Sequence, residues 1–153
     1  MPKLCLSVLL VGAELFSVAG VAPFPVKASL QGTLTQSIES MPIFWEEFKS
    51  AVIKGDKEAV ASLSRFPIWR GEAMGNVNNK AQLKRRFREV FFAETNAAQC
   101  FPKAKPVIEK DRPREFAVTC PFASDAGAGE PFVYTFTRIG TGWKFTSFEN
   151  INE

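Results

Sequence analysis

Aromatic residues that recur at every second position dominate the C-terminal part of this chain, and they limit the folds open to it. Phe116, Val118, Cys120 and Phe122 alternate with smaller or polar neighbours, as do Phe132, Tyr134 and Phe136, and again Trp143, Phe145 and Ser147. A period of two marks strands that bury one face. Farther back the period changes. Phe44, Phe48 and Val52 recur at helical spacing beside Trp45, with Glu46, Glu47, Lys49 and Lys54 on the other side, which predicts an amphipathic helix running from Pro42 to a stop at Gly55. Helices first and strands last is the pattern of an α+β domain, with N-terminal helices packed on an antiparallel sheet.

The segments between follow from local signals. Asp56 is placed to cap a second helix carrying Val60 and Leu63, which Pro67 prevents from continuing. Phe66 to Gly71 reads as a short edge strand, since proline is tolerated at strand starts and edges. Asn79 with Gln82 three residues on resembles a capping box, and Leu83, Phe87, Val90 and Phe91 mark the buried face of a third helix. Two strands, 106–110 and 114–122, are expected on either side of the turn Asp111-Arg112-Pro113. Ser124 to Glu130 is a Gly/Ala loop, and Gly140-Thr141-Gly142 turns the chain into its last strand.

The N-terminal end reads as an export signal over residues 1–28. Lys3 supplies a charged start, Leu4 to Ala13 is nearly all apolar, and small residues precede processing sites after Ala19 or Ala28. That apolar run is far short of the ~20 residues a membrane-spanning helix needs. Residues 29–40 form a leader without clear periodicity, and 41–153 a single domain. Removing 28 of 153 residues leaves 125, enough for one core. The expected location is the periplasm or the cell exterior, with no membrane span once the signal is gone. Cys5 leaves with the signal, so Cys100 and Cys120 remain as a pair. An even count in an exported chain favours a disulfide over a metal site or a catalytic thiol, and the C-x-x-C spacing of redox motifs is absent.

Histidine does not occur at all. Without imidazole there is no Ser-His-Asp or Cys-His nucleophile system, and the commonest ligand for zinc, copper or non-haem iron is missing. No metal and no cofactor are expected. The full chain carries 19 Lys plus Arg and 16 Asp plus Glu; the signal holds Lys3, Lys27 and Glu14, which leaves 17 against 15, or +2. A nucleic-acid partner is therefore not expected, since it calls for a strongly basic domain. Lys80, Lys84, Arg85, Arg86 and Arg88 crowd one segment, but Glu89 offsets them and no stacking aromatics interleave on that side, so they read as the solvated face of a helix. Fifteen phenylalanines, two of them in the signal, imply an aromatic core or an aromatic-lined cleft.

Three stretches carry a wider likeness: Phe44-Trp45-Glu46-Glu47-Phe48 with the following Gly55-Asp56-Lys57, the arm Phe66-Pro67-Ile68, and the closing Arg138-Ile139-Gly140-Thr141-Gly142-Trp143-Lys144-Phe145. In the order helix, helix, short strand, helix and long antiparallel sheet, the chain resembles the nuclear-transport-factor-2-like superfamily, cone-shaped α+β rolls related in appearance to cystatin-like folds. The resemblance spans nearly all of the chain beyond the signal and implies a curved sheet. It leaves function open, because the superfamily hosts isomerases, dehydratases, polyketide cyclases, transport adaptors and exported proteins without known activity. Many of its members dimerise through the outer sheet, so a homodimer is a further expectation.

In such a cone Trp45, Phe48, Trp69, Arg70, Phe91, Tyr134, Phe136 and Trp143 are the candidate pocket residues. The same aromatics also serve to fill a core, and that plainer reading stands ahead. Strand alternation sends Arg70 to the side of Phe66 and Ile68, where its long stem is expected to reach water at the strand end; the sharper alternative is a clamp for an anionic group on a ligand. An isomerase of the ketosteroid type would need a carboxylate base and a phenol donor, for which Glu72 and Tyr134 are the candidates. The function expected is that of an exported, non-catalytic binding module, holding a small ligand in the cone or a partner protein on the sheet. A carboxylate-dependent isomerase or lyase, and a periplasmic inhibitor or immunity protein, are the alternatives.

Overall fold

The first helix forms where its periodicity places it. In the computed structural model, which describes residues 39–123 and 130–150, α1 spans Met41–Lys54 and buries Phe44, Trp45, Phe48, Ala51 and Val52 along one stripe. The expected signal, the expected leader up to residue 38 and the Gly/Ala loop at 124–129 lie outside the described residues. Gly55 ends α1 with φ 69°: its N–H bonds Val52 O at 3.0 Å while the Asp56 N–H bonds Ala51 O at 2.9 Å. This is a Schellman closure, which needs a left-handed residue. Asp56 then caps α2 (Lys57–Ser62) by accepting the Ala59 N–H at 3.0 Å. α2 stops ahead of Pro67, because Leu63 turns the chain into β1 (Ser64–Trp69) and gives its carbonyl to the Phe145 N–H.

A short helix α3 (Gly71–Met74), for which the sequence offered no signal, precedes α4 (Lys80–Arg85). Asn79 caps α4 through Gln82 N–H at 2.9 Å; Gln82 reaches back to the Asn78 N–H at 2.7 Å, one residue before the cap. The expected third helix does not run unbroken. Arg86 leaves the helical pattern, and its guanidinium takes the carbonyls of Met74, Gly75 and Asn76. Beyond it a π-helical segment, Glu89–Ala93, sets Val90 and Phe91 side by side in the core. The wider turn of a π segment thus keeps the buried face that the spacing predicted while altering the helix that carries it. Helix α5 (Ala97–Cys100) follows, capped by Asn96.

Strands β2 (Glu115–Cys120), β3 (Phe132–Ile139) and β4 (Gly142–Asn150) form an antiparallel meander, and β1 joins β4 in parallel, giving the order β1-β4-β3-β2. The sheet is therefore mixed, not wholly antiparallel. Pro67 has no N–H to give, and the register slips around it: β1 advances from Ser64 to Trp69 while β4 advances only from Phe145 to Ser147. A bulge in β4 has more consequence. Thr135 faces Ser147 but Phe136 faces Phe145, so Thr146 is left over and the inward face changes from odd to even positions. Phe145 and Phe148 both point into the core as a result, and both are buried.

The expected strand over 106–110 does not form. Only Val107 pairs, in a single bridge to Ala117, while Val107 and Ile108 stay exposed. Pro106 lacks a donor, and the turn bonds from Arg112 N–H to Glu109 O and Glu115 N–H to Arg112 O take up the chain that would have extended the pairing. The opposite edge is closed in the same way, by one bridge between Ile68 and Val77. Cys100 and Cys120 are joined in a disulfide, with Cα atoms 5.7 Å apart, which ties the end of α5 to the end of β2. The last leader residues are held too: Glu39 N–H bonds Thr141 O, and its carboxylate accepts the Trp143 N–H at 3.1 Å. No helix among the described residues is long and apolar enough to cross a membrane.

Candidate functional site

The space between helices and sheet is filled with rings. Phe136 lies 4.9 Å from Phe48, 4.5 Å from Phe116 and 5.8 Å from Trp45, centroid to centroid. Phe91 stacks on Tyr134 at 5.9 Å, and Trp143 meets Phe116 edge-on at 5.1 Å. Trp45, Phe48, Phe91, Tyr134, Phe136 and Trp143 are all buried. The structure brings these six together in the core. Tyr134 is wholly enclosed in this packing. Its hydroxyl is shared with Thr95 Oγ1 at 2.5 Å and reaches the Val90 carbonyl at 3.3 Å, and burial pushes its pKa far above the ordinary phenol value. Glu72 is exposed on α3 and shares no contact with it. The two candidates for acid–base work do not meet.

Arg70 corrects the expectation that it would reach water. Its exposure is 0%. The residue follows β1 directly, on the core side as continued alternation requires, but α3 and the π segment cover it: Nη1 donates to Glu89 Oε1 at 2.6 Å, Nη2 lies 3.3 Å from Met74 Sδ, and Cζ stands 5.7 Å from the Phe148 ring. Its Nε has no partner. Glu89 is shared, since Arg86 also holds it at 2.7 and 2.9 Å. The Arg86 hydrogen bond is the main reason its carboxyl is held down to about 2; partial burial opposes this, and the Arg70 bond adds to it. The anion that satisfies Arg70 is thus supplied by the chain itself, nineteen positions away. Of the basic stretch, Lys84 pairs with Glu58, Arg86 is spent in this cluster, and Lys80, Arg85 and Arg88 face solvent.

Among the described residues no helix lies on the other face of the sheet. Its outward residues form a trough of about 540 Å³, floored by Ala117 and Thr119 from β2 and Val133 and Thr135 from β3. Its rim is charged: Glu109 and Arg112 from the turn, Glu115 from β2 and Glu149 from β4. Arg112 sits between Glu109 at 2.6 Å and Glu115 at 3.6 Å. On the β1 side Trp69, the one proposed pocket residue that is exposed (44%), donates its indole N–H to Glu149 Oε2 at 3.0 Å. Sequence reading named Trp69 but missed Glu149, Thr119, Val133 and Thr135. The signal was present as the complement of the aromatic alternation, in the β-branched and small residues that fall on the opposite parity. A volume of this size is within the range of ligand clefts. Among the described residues no group of three or more His, Cys, Asp or Glu side chains converges as a metal would require.

Neither a protein-family model nor a curated protein sequence matches the chain. Among solved structures it is similar to an NTF2-like protein of unknown function in nutrient uptake from Rhodospirillum rubrum, 16% identical, covering 72% of this chain and 96% of that one with a TM-score of 0.43. It is also similar to an NTF2-like protein with a cystatin-like fold from Novosphingobium aromaticivorans, 14% identical over 75% of this chain and 80% of that one, TM-score 0.40. A hexachlorocyclohexane dehydrochlorinase is a third, 11% identical over 72% and 81%, TM-score 0.41. The arrangement itself, helices packed on one side of a four-stranded mixed sheet, is α+β. No activity passes from these proteins to this chain.

Proposed function

We propose that the protein is an exported, non-catalytic binding module that receives a partner protein on the free face of its sheet. The observation that carries this reading is the contrast in packing: the interior between helices and sheet is occupied by buried rings, whereas the trough beyond Thr119 and Thr135 is open. A small ligand in the cone has less support, because six of the seven aromatics expected to line it are buried, five packed on one another and Trp143 on Phe116. The bridges at Val77 and Val107 occupy both sheet edges, which directs a partner to the face instead of to an added strand. The Cys100–Cys120 disulfide fits an oxidising compartment and supports export.

Native mass spectrometry of the full chain, recovered from the compartment in which it accumulates, tests the reading. The expected result is a stoichiometric protein partner that is retained by Glu47→Lys, a change on the exposed side of α1, and lost in Thr119→Arg, which fills the trough without touching the core. Retention of the partner by Thr119→Arg, or recovery of the protein with a small molecule sealed among the rings, overturns it.

A further inference from the structure

We infer that the trough takes a cationic segment of the partner, one that lays lysine or arginine side chains across the sheet. This rests on the preceding reading that the free face is the binding surface, and it names the chemistry of what binds there. The lining contains three carboxylates, Glu109, Glu115 and Glu149, against the single guanidinium of Arg112, a formal −2 on a chain whose overall charge is +3. Arg112 is already engaged by Glu109 and Glu115. What remains directed at a visitor is negative, and a basic partner meets a surface of opposite sign although the molecule as a whole would repel it.

A second observation, independent of the charge count, comes from the β1 side of the trough. Trp69 is a half-exposed indole fixed by its N–H to one oxygen of the Glu149 carboxylate. A ring face beside a carboxylate is the combination that recognises an ammonium or a guanidinium, the ring through its quadrupole and the carboxylate through charge-assisted hydrogen bonds. The hydrogen bond orients the indole before anything arrives, so little is lost in ordering it on binding. Between this corner and the Glu115 rim lie Thr119 and Thr135, whose hydroxyls offer uncharged hydrogen bonds to a backbone passing over them. The carboxylates are too dispersed for a metal ion.

Amide chemical-shift mapping on the full chain, with pentalysine, pentaglutamate and a neutral Gly-Ser pentapeptide as probes, decides the matter. Pentalysine is expected to shift Thr119, Val133, Thr135 and the Trp69 indole saturably, with binding weakened about tenfold between about 50 and about 300 mM NaCl. Glu149→Gln keeps an acceptor for the indole N–H and removes only the charge; it and Glu115→Gln are each expected to weaken pentalysine about threefold to fivefold. Trp69→Leu is expected to cost about threefold. If the neutral or acidic peptide perturbs the trough as strongly as pentalysine, the face still binds and the cationic assignment falls. Should pentalysine shift only residues outside the trough, or bind Glu149→Gln and Glu115→Gln unchanged, the assignment falls as well. Loss of the native partner in Thr119→Arg would then leave the broader reading standing on its own.

Discussion

The two faces of the four-stranded sheet are made from neighbouring residues of the same strands and differ in almost everything else. On β3, Phe132, Tyr134 and Phe136 point into a dry aromatic interior, while Val133 and Thr135 point into an open trough. Stability is concentrated on the first side, and the proposed recognition falls to the second. Because one backbone supplies both, changes at adjacent positions separate the two contributions with the fold held constant.

The largest expected effect is Phe136→Ala. Truncating a ring in contact with Phe44, Trp45, Phe48, Phe116 and Phe145 should cost about 3–5 kcal/mol in urea unfolding, against less than about 1 kcal/mol for Thr135→Ala next to it. Equal losses would dissolve the contrast between the faces. Replacing both Cys100 and Cys120 by serine opens a crosslink of sequence separation 20, and about 3 kcal/mol should go with it. An unchanged unfolding midpoint would show that the clasp does little for the interior. Arg70→Met keeps apolar bulk beside Phe148 but strips Glu89 of one donor; about 1–3 kcal/mol is expected. An NMR titration of the same variant should find the Glu89 carboxyl above its present value, since the Arg70 bond is among the causes that lower it.

The pH response sharpens the picture further. Glu89 ionises at about 2 in the folded chain against an ordinary 4.5, so its contribution favours folding above the ordinary value and is lost as pH falls through about 2. The stability gap between wild type and Glu89→Gln should be widest near neutral pH and close on acidification. A gap that stays constant down to the acid transition would remove Glu89 as its source. Smallest of all, Thr119→Arg should change stability by less than about 0.5 kcal/mol while abolishing partner binding. A large loss of stability there would mean that the trough face is also structural.

Much of the interior was legible. The stripe Phe44, Phe48 and Val52, the Gly55 stop, the Asp56 and Asn79 caps and the alternation of β2 and β3 depend on contacts within a few residues, which spacing reports directly. What escaped depends on insertions or distant partners. The leftover Thr146 reverses the parity of β4, so Phe148 is inside although continued alternation from Trp143 puts it outside. The π segment likewise keeps the predicted buried face but not the helix that carries it. Arg70 lies inside because Glu89 and Met74 come to it from elsewhere in the chain, and neither is recognisable as its neighbour from order alone. The trough was missed for another reason: small and β-branched residues carry little signal individually, and only their joint exposure beside Trp69 and Glu149 makes a surface.

The paired single-residue bridges at Val77 and Val107 also bear on how the protein survives crowding among its own copies. Growth of a fibril needs a bare strand margin on which the next molecule can stack its backbone, and here each margin is already partly stoppered by its own chain. Such a molecule can leave one broad surface open to a chosen visitor without also offering its copies a seam along which to polymerise.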